Sequence, residues 1–456
     1  MATDRDALVE LNNVTKLFDI TIGVTDRLLG REPKPVRAVD DVSFSIERGE
    51  VVGIAGESGC GKTTLGKLLV KLHDPTHGEI IFDGKDISRL TTEEERQFRQ
   101  RVQMIFQDPF ESLNPRMTVL DTVAEPLRIN DIGDDYYDRR DRVIEVLNDV
   151  GLAPAETYLD QFPRELSGGE MQRVAIARAL VVDPEFIVCD EPVSMLDVSI
   201  RANVLNLMQD LREEYDLTYL FISHDLSLIR YMCDRTGIMY LGDLIEIGDT
   251  DEVVDHSQHP YTRALFDAVP KIAPERTRQR ANVTGEVPSA RDPPPGCKFH
   301  PRCESVIPPD DWTGDQDAFR RVFNFKTKLE RGELTVEDVN LPADAPTESV
   351  VDALLARGLA LDVPEEHRTE GEDPREGVEL SRIGLPAEDE RTLREVCRTL
   401  ADDGPEAAYE RIDDAYTSIC ETVHPDLRQT NEQLAACHLY GHEEPEAVVD
   451  APTSDD

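Results

Sequence analysis

Long apolar runs are missing from this sequence of 456 residues, and aromatic residues make up only 6% of it, with a single tryptophan. A helix that crosses a bilayer needs about 20 consecutive, predominantly apolar residues. No stretch meets that requirement, so none is predicted to span a membrane. Residues 1–10 also lack the apolar centre of a secretory signal peptide. We therefore expect a cytosolic protein, or one that a partner holds at the cytosolic face of a membrane.

Basic residues are also scarce, because 49 Lys and Arg stand against 93 Asp and Glu, for a formal net charge of −44. Nucleic-acid binding needs clustered Lys and Arg, so we expect no nucleic-acid partner. The acidic residues are spread along the whole chain rather than gathered in one tail. A dispersed acidic surface suggests a cytosol of very high salt, where screening shortens charge repulsion. This predicts a halophilic archaeal source, and the alternative is an ordinary acidic protein.

The chain contains eight cysteines, which a cytosolic environment would keep as reduced thiols or metal ligands rather than disulfides. It shows no internal repeat. Its length suffices for two or three domains with a substantial buried core.

A glycine-rich stretch, GESGCGKTT at 56–64, lies between the apolar run 51–55 and a helical pattern at 65–70. The pattern G-x-x-x-x-G-K-[ST] between a strand and a helix is a P-loop. Its glycines let backbone N–H groups surround an anion, and the helix start adds partial positive charge. The alternative, a structural glycine turn, loses weight once the partner motifs below are found. The predicted nucleotide contacts are Gly56, Glu57, Ser58, Gly59, Cys60, Gly61, Lys62, Thr63 and Thr64.

Two residues of this loop have distinct predicted roles. Lys62 is expected to reach the β- and γ-phosphates of a nucleotide, and the Thr63 hydroxyl is expected to ligate Mg²⁺.

Polar side chains follow three other apolar runs, at 102–106, 186–189 and 218–222. Strands of this kind alternate with helical segments, which predicts a parallel sheet with ligands at the carboxyl ends of its strands. The residues in question are Gln107, Asp190, Glu191 and His224.

Adjacent carboxylates at a strand end have different predicted tasks. Asp190 is expected to bind Mg²⁺, whereas Glu191 is expected to orient and deprotonate the attacking water. Gln107 can contact the metal or the water through its amide, and His224 can hydrogen-bond the γ-phosphate. The alternatives are a solvated strand end for the two carboxylates and a structural role for the histidine.

A second glycine pair opens a helix at Ser167-Gly168-Gly169, and this makes a second candidate anion site. One nucleotide needs only one P-loop. The second anion site therefore suggests that it binds another nucleotide, which is held against another copy of the domain.

Strand-like alternation at 8–18 and 41–46, with a hairpin around Gly78 and Asp83-Gly84, predicts an antiparallel sheet beside the P-loop core. The predicted fold class is thus α/β. From about residue 271, proline and charged residues become more frequent, which predicts a C-terminal extension. The predicted divisions are a nucleotide-binding domain at 1–270 with a helical subdomain at about 110–180, an extension at 271–440 with an acidic helical insertion at 304–414, and a disordered tail at 441–456.

The order of these motifs resembles that of the ATP-binding-cassette (ABC) ATPases: the P-loop, Gln107, LSGGE at 166–170, FIVCDE at 186–191, the loop 194–197 and His224. The resemblance implies a P-loop NTPase fold and two cassettes that dimerise head to tail around ATP and Mg²⁺. It places the second cassette's Ser167, Gly168, Gly169, Glu170 and Asp197 at the nucleotide.

The same resemblance implies that Phe18 stacks on adenine, although a core phenylalanine at a strand end is an alternative. Two departures from the family pattern are Glu170 in place of Gln and Met195 in place of Ala. They lie beside the residues that handle phosphate, so we expect an altered rate rather than lost activity.

Further motifs look like those of the ATPase subunits of oligopeptide/dipeptide and nickel importers, over about 8–303 and 415–440. The resemblance implies an ATPase that powers import of di- or oligopeptides. Its implied partners are a second, different ATPase subunit, two transmembrane permeases and an extracellular solute-binding protein. Nickel or another small solute is the alternative cargo. A soluble cassette ATPase and a regulatory or metal-sensing protein are rival functions. The motifs are RAVDDVSF (37–44), QDPFESLNP (107–115), DEPVS (190–194), HPYTRAL (259–265), GEVPS (285–289) and GCKFHPRC (296–303).

Four cysteines of the extension form a candidate metal site: Cys297, Cys303, Cys420 and Cys437. The first two are separated by five intervening residues, which is not a common zinc-knuckle spacing, and four unrelated thiols are the alternative. The family resemblance implies a [4Fe–4S] cluster, with zinc as second choice and His300 or His438 as substitute ligands. The remaining thiols are interpreted as packing residues: Cys60, Cys189, Cys233 and Cys397.

Overall fold

The computed structural model describes residues 7–19, 34–268, 287–339, 341–342, 345–360 and 384–440. The predicted tail 441–456 and the start of the GEVPS motif lie outside these residues. The chain divides into two units: the first holds the described residues up to 268 together with 287–293 and 427–436, and the second holds 294–426 and 437–440. The predicted boundaries at 270, 304 and 414 remain predictions.

Twelve strands lie in the described residues of the first unit and form two sheets. They are β1 (Ala7–Phe18), β2 (Val36–Glu47), β3 (Val51–Ala55), β4 (His77–Phe82), β5 (Lys85–Asp86), β6 (Val102–Ile105), β7 (Phe186–Asp190), β8 (Thr218–Ile222), β9 (Arg235–Tyr240), β10 (Asp243–Asp249), β11 (Arg428–Thr430) and β12 (Gln433–Ala435).

The larger sheet has the order β11-β12-β10-β9-β3-β8-β7-β6. Its five strands from β9 to the edge strand β6 are parallel, and the pairs that involve β10, β11 and β12 are antiparallel. Every residue of β3, β7 and β8 is buried, as expected for parallel strands covered on both faces. Because β6, β7 and β8 are neighbours, the residues that follow them meet at one edge of the sheet.

The smaller sheet is antiparallel, with the order β2-β1-β4-β5. Leu11 of β1 pairs with Phe44 of β2, and Val9 pairs with Ile46. The inward side chains of this sheet share one apolar core with β3. The predicted antiparallel subdomain is therefore present.

Ten helices accompany these sheets in the described part of the first unit. They are α1 (Lys62–Leu69), α2 (Thr92–Arg101), α3 (Pro109–Ser112), α4 (Val119–Ile129), α5 (Tyr136–Asp149), α6 (Gly168–Leu180), α7 (Val198–Tyr215), α8 (Leu226–Met232), α9 (Thr250–Asp255) and α10 (Pro260–Asp267). In α5, Val143, Val146 and Leu147 are buried on one face, as their spacing predicts.

The second unit is helical in its described residues. Its helices are α11 (Gln316–Glu330), α12 (Thr347–Gly358), α13 (Ala387–Asp402), α14 (Pro405–Ala415) and α15 (Ile419–Thr422). It has its own apolar core. Lys326 is buried in this unit, and its ammonium lies 2.6 Å from Asp413 and 2.7 Å from Glu421. The acidic segment thus encloses a core that its composition alone does not reveal.

Across all of these described residues, no helix combines the length and the apolar character needed to cross a membrane.

Candidate nucleotide-binding site

The P-loop connects β3 to α1 and needs glycine at two positions. Gly56 and Gly61 have φ angles of 151° and 112°. A Cβ atom at Gly56 would lie 2.2 Å from the Met239 carbonyl oxygen, and one at Gly61 would lie 2.0 Å from that of Ala38. Side chains are therefore excluded at both positions. The backbone amides that open α1 have no partner within the helix, which suits them to bind an anion.

Lys62 lies at the centre of this loop and is buried. Its ammonium donates hydrogen bonds to the carbonyl oxygens of Gly56 at 2.8 Å and Glu57 at 2.9 Å. Cys60 is also buried, with its sulfur 3.7 Å from the same ammonium. The loop thus concentrates positive charge where a phosphate group would fit.

Oxygen ligands suitable for a magnesium ion meet beside the loop. The Thr63 hydroxyl donates to a carboxylate oxygen of Asp190 at 3.1 Å. Burial raises the pKa of Asp190, and the hydrogen bond from Thr63 opposes that shift. Hydroxyl and carboxylate oxygens are the ligands that Mg²⁺ prefers, so this pair fits the ion that the fold implies.

Glu191 joins two residues that are distant in sequence. Its Oε2 accepts a hydrogen bond from Gln107 Nε2 at 2.9 Å, and its Oε1 lies 2.8 Å from His224 Nδ1. Glu191 has a φ angle of 47°, and its backbone N–H donates to the Ile222 carbonyl at 2.9 Å. The left-handed backbone turns the carboxylate out of the strand end, toward the amide and the imidazole.

An open cavity of about 440 Å³ lies in front of these groups. This volume is within the usual range for small-molecule sites, roughly 300–1,000 Å³. The structure therefore brings the predicted P-loop residues together with Gln107, Glu191 and His224. The cavity is lined by Val36, Ala38, Ser58, Gly59, Gly61, Lys62, Thr63, Thr64, Gln107, Glu191, His224 and Ala290.

Several predicted contacts lie elsewhere in this single chain. Phe18 does not line the cavity; its ring is 5.4 Å from that of His73 in an edge contact, and the Lys16 ammonium is 5.3 Å from its centre. Asp197 caps α7 by accepting hydrogen bonds from the amides of Ser199 and Ile200. The residues 167–170 also lie outside the cavity lining.

The second glycine pair, Gly168-Gly169, begins α6. Ser167 and Glu170 cap this helix start by hydrogen bonding to each other. The Ser167 hydroxyl accepts from the Glu170 amide, while the Glu170 carboxylate accepts from the Ser167 amide at 2.8 Å. Gly169 packs against Ile200 so closely that an added Cβ would lie 2.7 Å from a methyl carbon. An added Cβ at Gly168 would lie 3.6 Å from Leu196. The start of α6 is thus seated on the loop 194–197 and on α7.

The four cysteines of the extension lie in the second unit. The Cys297 amide donates to the Cys420 carbonyl at 2.9 Å. Burial, and then the nearby Cys303, Cys420 and Cys437 thiols, raise the pKa of Cys297. The four thiols are therefore neighbours in the second unit.

A metal at these thiols is not supported. Among the described residues, no group of three or more His, Cys, Asp or Glu side chains is placed to hold a metal ion. His300 Nδ1 lies 2.9 Å from the Cys297 carbonyl, and His438 Nε2 lies 2.8 Å from the Val423 carbonyl. In each imidazole, one ring nitrogen thus contacts a backbone carbonyl. The iron–sulfur cluster and the zinc ion predicted here consequently lack structural support.

Two residues near the site were missed by the sequence analysis. The phenolic oxygen of Tyr261 accepts a hydrogen bond from the Glu57 amide of the P-loop at 2.9 Å. Arg201 donates to the Leu196 carbonyl at 3.2 Å and to Asp225 at 3.3 Å, and so joins the loop after Glu191 to the residue after His224. The HPYT motif could have drawn attention to Tyr261, but no periodicity indicates that it meets the P-loop.

A phosphate-binding loop at a helix start, with two carboxylates at the end of one parallel strand and polar side chains after the strands on either side, defines the class of P-loop nucleotide hydrolases. Comparison with known families narrows this class. The family described as "ABC transporter" matches residues 39–194, and the "Oligopeptide/dipeptide transporter, C-terminal region" matches 245–308. A domain of unknown function matches 316–433.

Curated relatives agree with this assignment. The oligopeptide transport ATP-binding protein AppF of Bacillus subtilis (strain 168) is 47% identical over 310 residues, which cover 67% of this chain and 92% of the relative. The dipeptide transport ATP-binding protein DppF of Escherichia coli (strain K12) is 46% identical over 274 residues, 60% of this chain and 81% of the relative.

Among solved structures, the dimeric post-hydrolysis state of the ATP-binding cassette MJ0796 with ADP and Pi is 31% identical. The match covers 53% of this chain and 98% of the MJ0796 chain, with a TM-score of 0.46. The sequence relatives and family matches decide the assignment: the chain belongs to the family of ABC transporter ATP-binding subunits of the oligopeptide/dipeptide type. The predicted cassette fold and the predicted ATPase class are thereby confirmed.

Proposed function

We propose that this chain hydrolyses ATP to power the import of di- or oligopeptides, as one ATPase subunit of a membrane complex. The observation that carries the proposal is Glu191, held between Gln107 and His224 at the rim of the P-loop cavity. The names of the relatives, oligopeptide and dipeptide transport ATP-binding proteins, support the cargo.

The proposed phosphate site uses the P-loop. Backbone amides from 56–64 would surround the β- and γ-phosphates, and the Lys62 ammonium would turn from the loop carbonyls to the phosphate oxygens. Thr63 and Asp190 would hold Mg²⁺, with Gln107 at its edge. When bound, this ion neutralises charge that develops on the phosphate oxygens.

Glu191 is the proposed general base. Its carboxylate would accept the proton of a water that attacks the γ-phosphate, because it lies at the cavity and already receives hydrogen bonds that orient it. His224 would donate to the γ-phosphate and would keep the carboxylate and the water in line.

A second cassette would complete the site. In the proposed head-to-tail dimer, the partner's copies of 167–170 and of the residue at 197 would face the nucleotide, and ATP would link the two cassettes. The position of these residues outside the cavity of their own chain supports this arrangement. Phe18 as the adenine contact remains a prediction.

The proposed complex contains a second ATPase subunit, two transmembrane permeases and an extracellular solute-binding protein, and this chain lies peripherally at the cytoplasmic face of the membrane. A heterodimer of ATPase subunits and a halophilic source both remain predictions. Nothing in the described residues favours nickel over peptide.

Replacing Glu191 with glutamine tests the function. Glu191→Gln keeps the shape of the side chain but removes the base, so ATP should still bind while hydrolysis falls by about 10²–10⁴-fold. Peptide uptake by cells that carry the variant should be lost. Glu213→Gln, a change at an exposed glutamate of α7, is the matched control and should behave like the wild type. Normal peptide uptake with Glu191→Gln would refute the proposal.

Metal analysis of anaerobically purified protein addresses the four cysteines separately. Because the described side chains do not form a metal site, we expect neither iron nor zinc in stoichiometric amount. Bound iron with sulfide, or bound zinc, would contradict that expectation and restore the original prediction.

A further inference from the structure

The start of α10, which has no role in the proposed catalysis, contacts the P-loop. Tyr261, at the start of α10, is buried, and its phenolic oxygen accepts the Glu57 amide at 2.9 Å. Its ring lies 4.7 Å from that of Tyr240 in β9, the strand beside β3. Burial raises the pKa of Tyr261, so the phenol stays neutral, and a neutral phenolic oxygen can accept a hydrogen bond from the amide.

The backbone of Tyr261 is itself fixed. His259 caps α10, and its Nδ1 accepts the Tyr261 amide at 3.0 Å. Burial lowers the pKa of His259 to about 3, so the imidazole is neutral at physiological pH and can accept this hydrogen bond. Pro260 occupies the first helical position, where its preset φ angle favours the helix start.

A buried carboxylate anchors this turn to the sheet. Glu246 of β10 accepts the amides of Gln258 at 2.6 Å and His259 at 2.9 Å. The residue is fully buried, so these charge-assisted hydrogen bonds are little weakened by solvent. The path from the sheet to the P-loop therefore runs through Glu246, the 258–259 backbone and Tyr261.

The contact bears on ATP because Glu57 is held at both ends of its backbone. Its amide donates to Tyr261, and its carbonyl accepts the Lys62 ammonium at 2.9 Å. A shift of Glu57 would move a neighbour of the phosphate-binding lysine. Tyr261 itself does not line the cavity, and it is not part of the cluster around Glu191.

We infer that Tyr261 is a positioning residue for ATP binding, which holds the Glu57 peptide and with it the P-loop in the shape that receives phosphate. The inference rests on the proposed role of the P-loop. It assigns to the HPYT motif a task within the nucleotide site.

The test is Tyr261→Phe in the full-length chain, which keeps the ring and removes the oxygen. The KM for ATP, and the dissociation constant of a non-hydrolysable ATP analogue, should each rise about tenfold, since a partly buried amide loses its partner. The kcat should change much less, because the Glu191 cluster is untouched. Hydrogen exchange of the Glu57 amide should become faster in the nucleotide-free protein.

Tyr219→Phe is the matched control. Tyr219 is also buried, and its phenol donates to the Met208 carbonyl at 3.2 Å. It pairs with Val51, the first residue of β3, whereas the P-loop follows the last, Ala55. This variant should lose a comparable amount of stability without a change in KM.

Equal KM values in the two variants would overturn the inference. If Tyr261→Phe does not fold, Glu246→Gln takes its place and should raise the KM in the same direction but less; an unchanged KM would then overturn it. A wild-type chain without Mg²⁺-dependent hydrolysis would count against the proposed function instead, whereas the analogue's dissociation constants would still decide the role of Tyr261.

Discussion

Two glycine-bearing helix starts in this chain look alike in sequence but differ in their surroundings. At α1, Lys62 is buried in the loop, and the end of β7 supplies Asp190 and Glu191. At α6, the chain's own Glu170 carboxylate accepts the Ser167 amide and hydroxyl. The first start faces a cavity, and the second is capped from within.

The difference shows that a helix start is not by itself a nucleotide site. Both helices offer unpaired backbone amides and a positive dipole end. Only α1 combines them with a cation, a hydroxyl and carboxylates in one place. In the proposed dimer, the start of α6 would form half of a site, and the second cassette would supply the other half.

Of the changes that test this difference between α1 and α6, removal of the Lys62 ammonium should have the largest effect. Lys62→Ala should weaken ATP binding by about a hundredfold, because loss of a charge-assisted hydrogen bond costs up to about 3 kcal/mol. The affinity of a non-hydrolysable analogue measures it. Lys85→Ala, at an exposed lysine paired with Glu94, is the control. Unchanged affinity after Lys62→Ala would mean that the P-loop lysine does not contact phosphate.

The two glycines of α6 should respond differently to an added methyl group. Gly169→Ala should destabilise the protein by about 2 kcal/mol, because its Cβ would lie 2.7 Å from Ile200 in a packed contact. Gly168→Ala should be nearly neutral, since the nearest atom, in Leu196, lies at 3.6 Å. Urea unfolding of both variants gives the comparison. Equal losses would show that the α6–α7 contact is not tightly packed.

As pH falls, stability that depends on His259, which fixes Tyr261 against the P-loop, should be lost before stability that depends on the cap of α6. Burial holds the pKa of His259 near 3, against an ordinary value of 6.5. The unfolded chain therefore binds a proton first as pH falls, so stability is full above pH 6.5 and declines toward pH 3. Between pH 7 and pH 5 this amounts to about 2 kcal/mol.

His259→Asn, which retains a capping oxygen, should flatten that decline in pH-dependent unfolding. At α6, hydrogen bonds from Ser167 lower the pKa of Glu170 below its ordinary value of 4.5. Stability from Glu170 is therefore kept above that value and lost only in stronger acid. An unaltered slope between pH 7 and pH 5 in His259→Asn would contradict the assignment to His259.

Removal of the α6 cap should cost less stability than Gly169→Ala. Ser167→Ala should cost about 1 kcal/mol, the usual value for an N-cap. Thr91→Ala is the matched control, because Thr91 and Glu94 form the same reciprocal cap at α2. The two variants should lose similar stability, but only Ser167→Ala should also slow ATP hydrolysis. Equal hydrolysis in both would argue against Ser167 at the nucleotide.

Sequence reasoning was most successful where a local pattern carries the physical cause. The P-loop glycines are needed for backbone conformations that exclude a side chain, as the contacts of Gly56 and Gly61 show. Cys397, which the sequence indicates to be a packing residue, lies with Leu393, Val396 and Leu400 on one buried face of α13. Both features depend on residues close together in the chain.

Long-range contacts were harder to predict. Phe18 contacts His73 in this chain, so its contact with adenine remains a prediction, and the four cysteines do not form a metal site in the described residues. In both cases the expectation came from family resemblance, not from a physical signal in the residues. Arg201 and Tyr261 carried no expected role, because their partners are distant in sequence.

The sequence by itself determined the P-loop, the parallel-strand class and the identity of the polar residues at the strand ends, because each follows from local backbone sterics and hydrophobic periodicity. Tertiary structure alone decided that Gln107 and His224 meet on Glu191, since that depends on β6, β7 and β8 being neighbours. It also decided that Tyr261 holds Glu57. Hydrogen bonds between distant residues depend on how the strands and helices pack, and no local pattern encodes that arrangement.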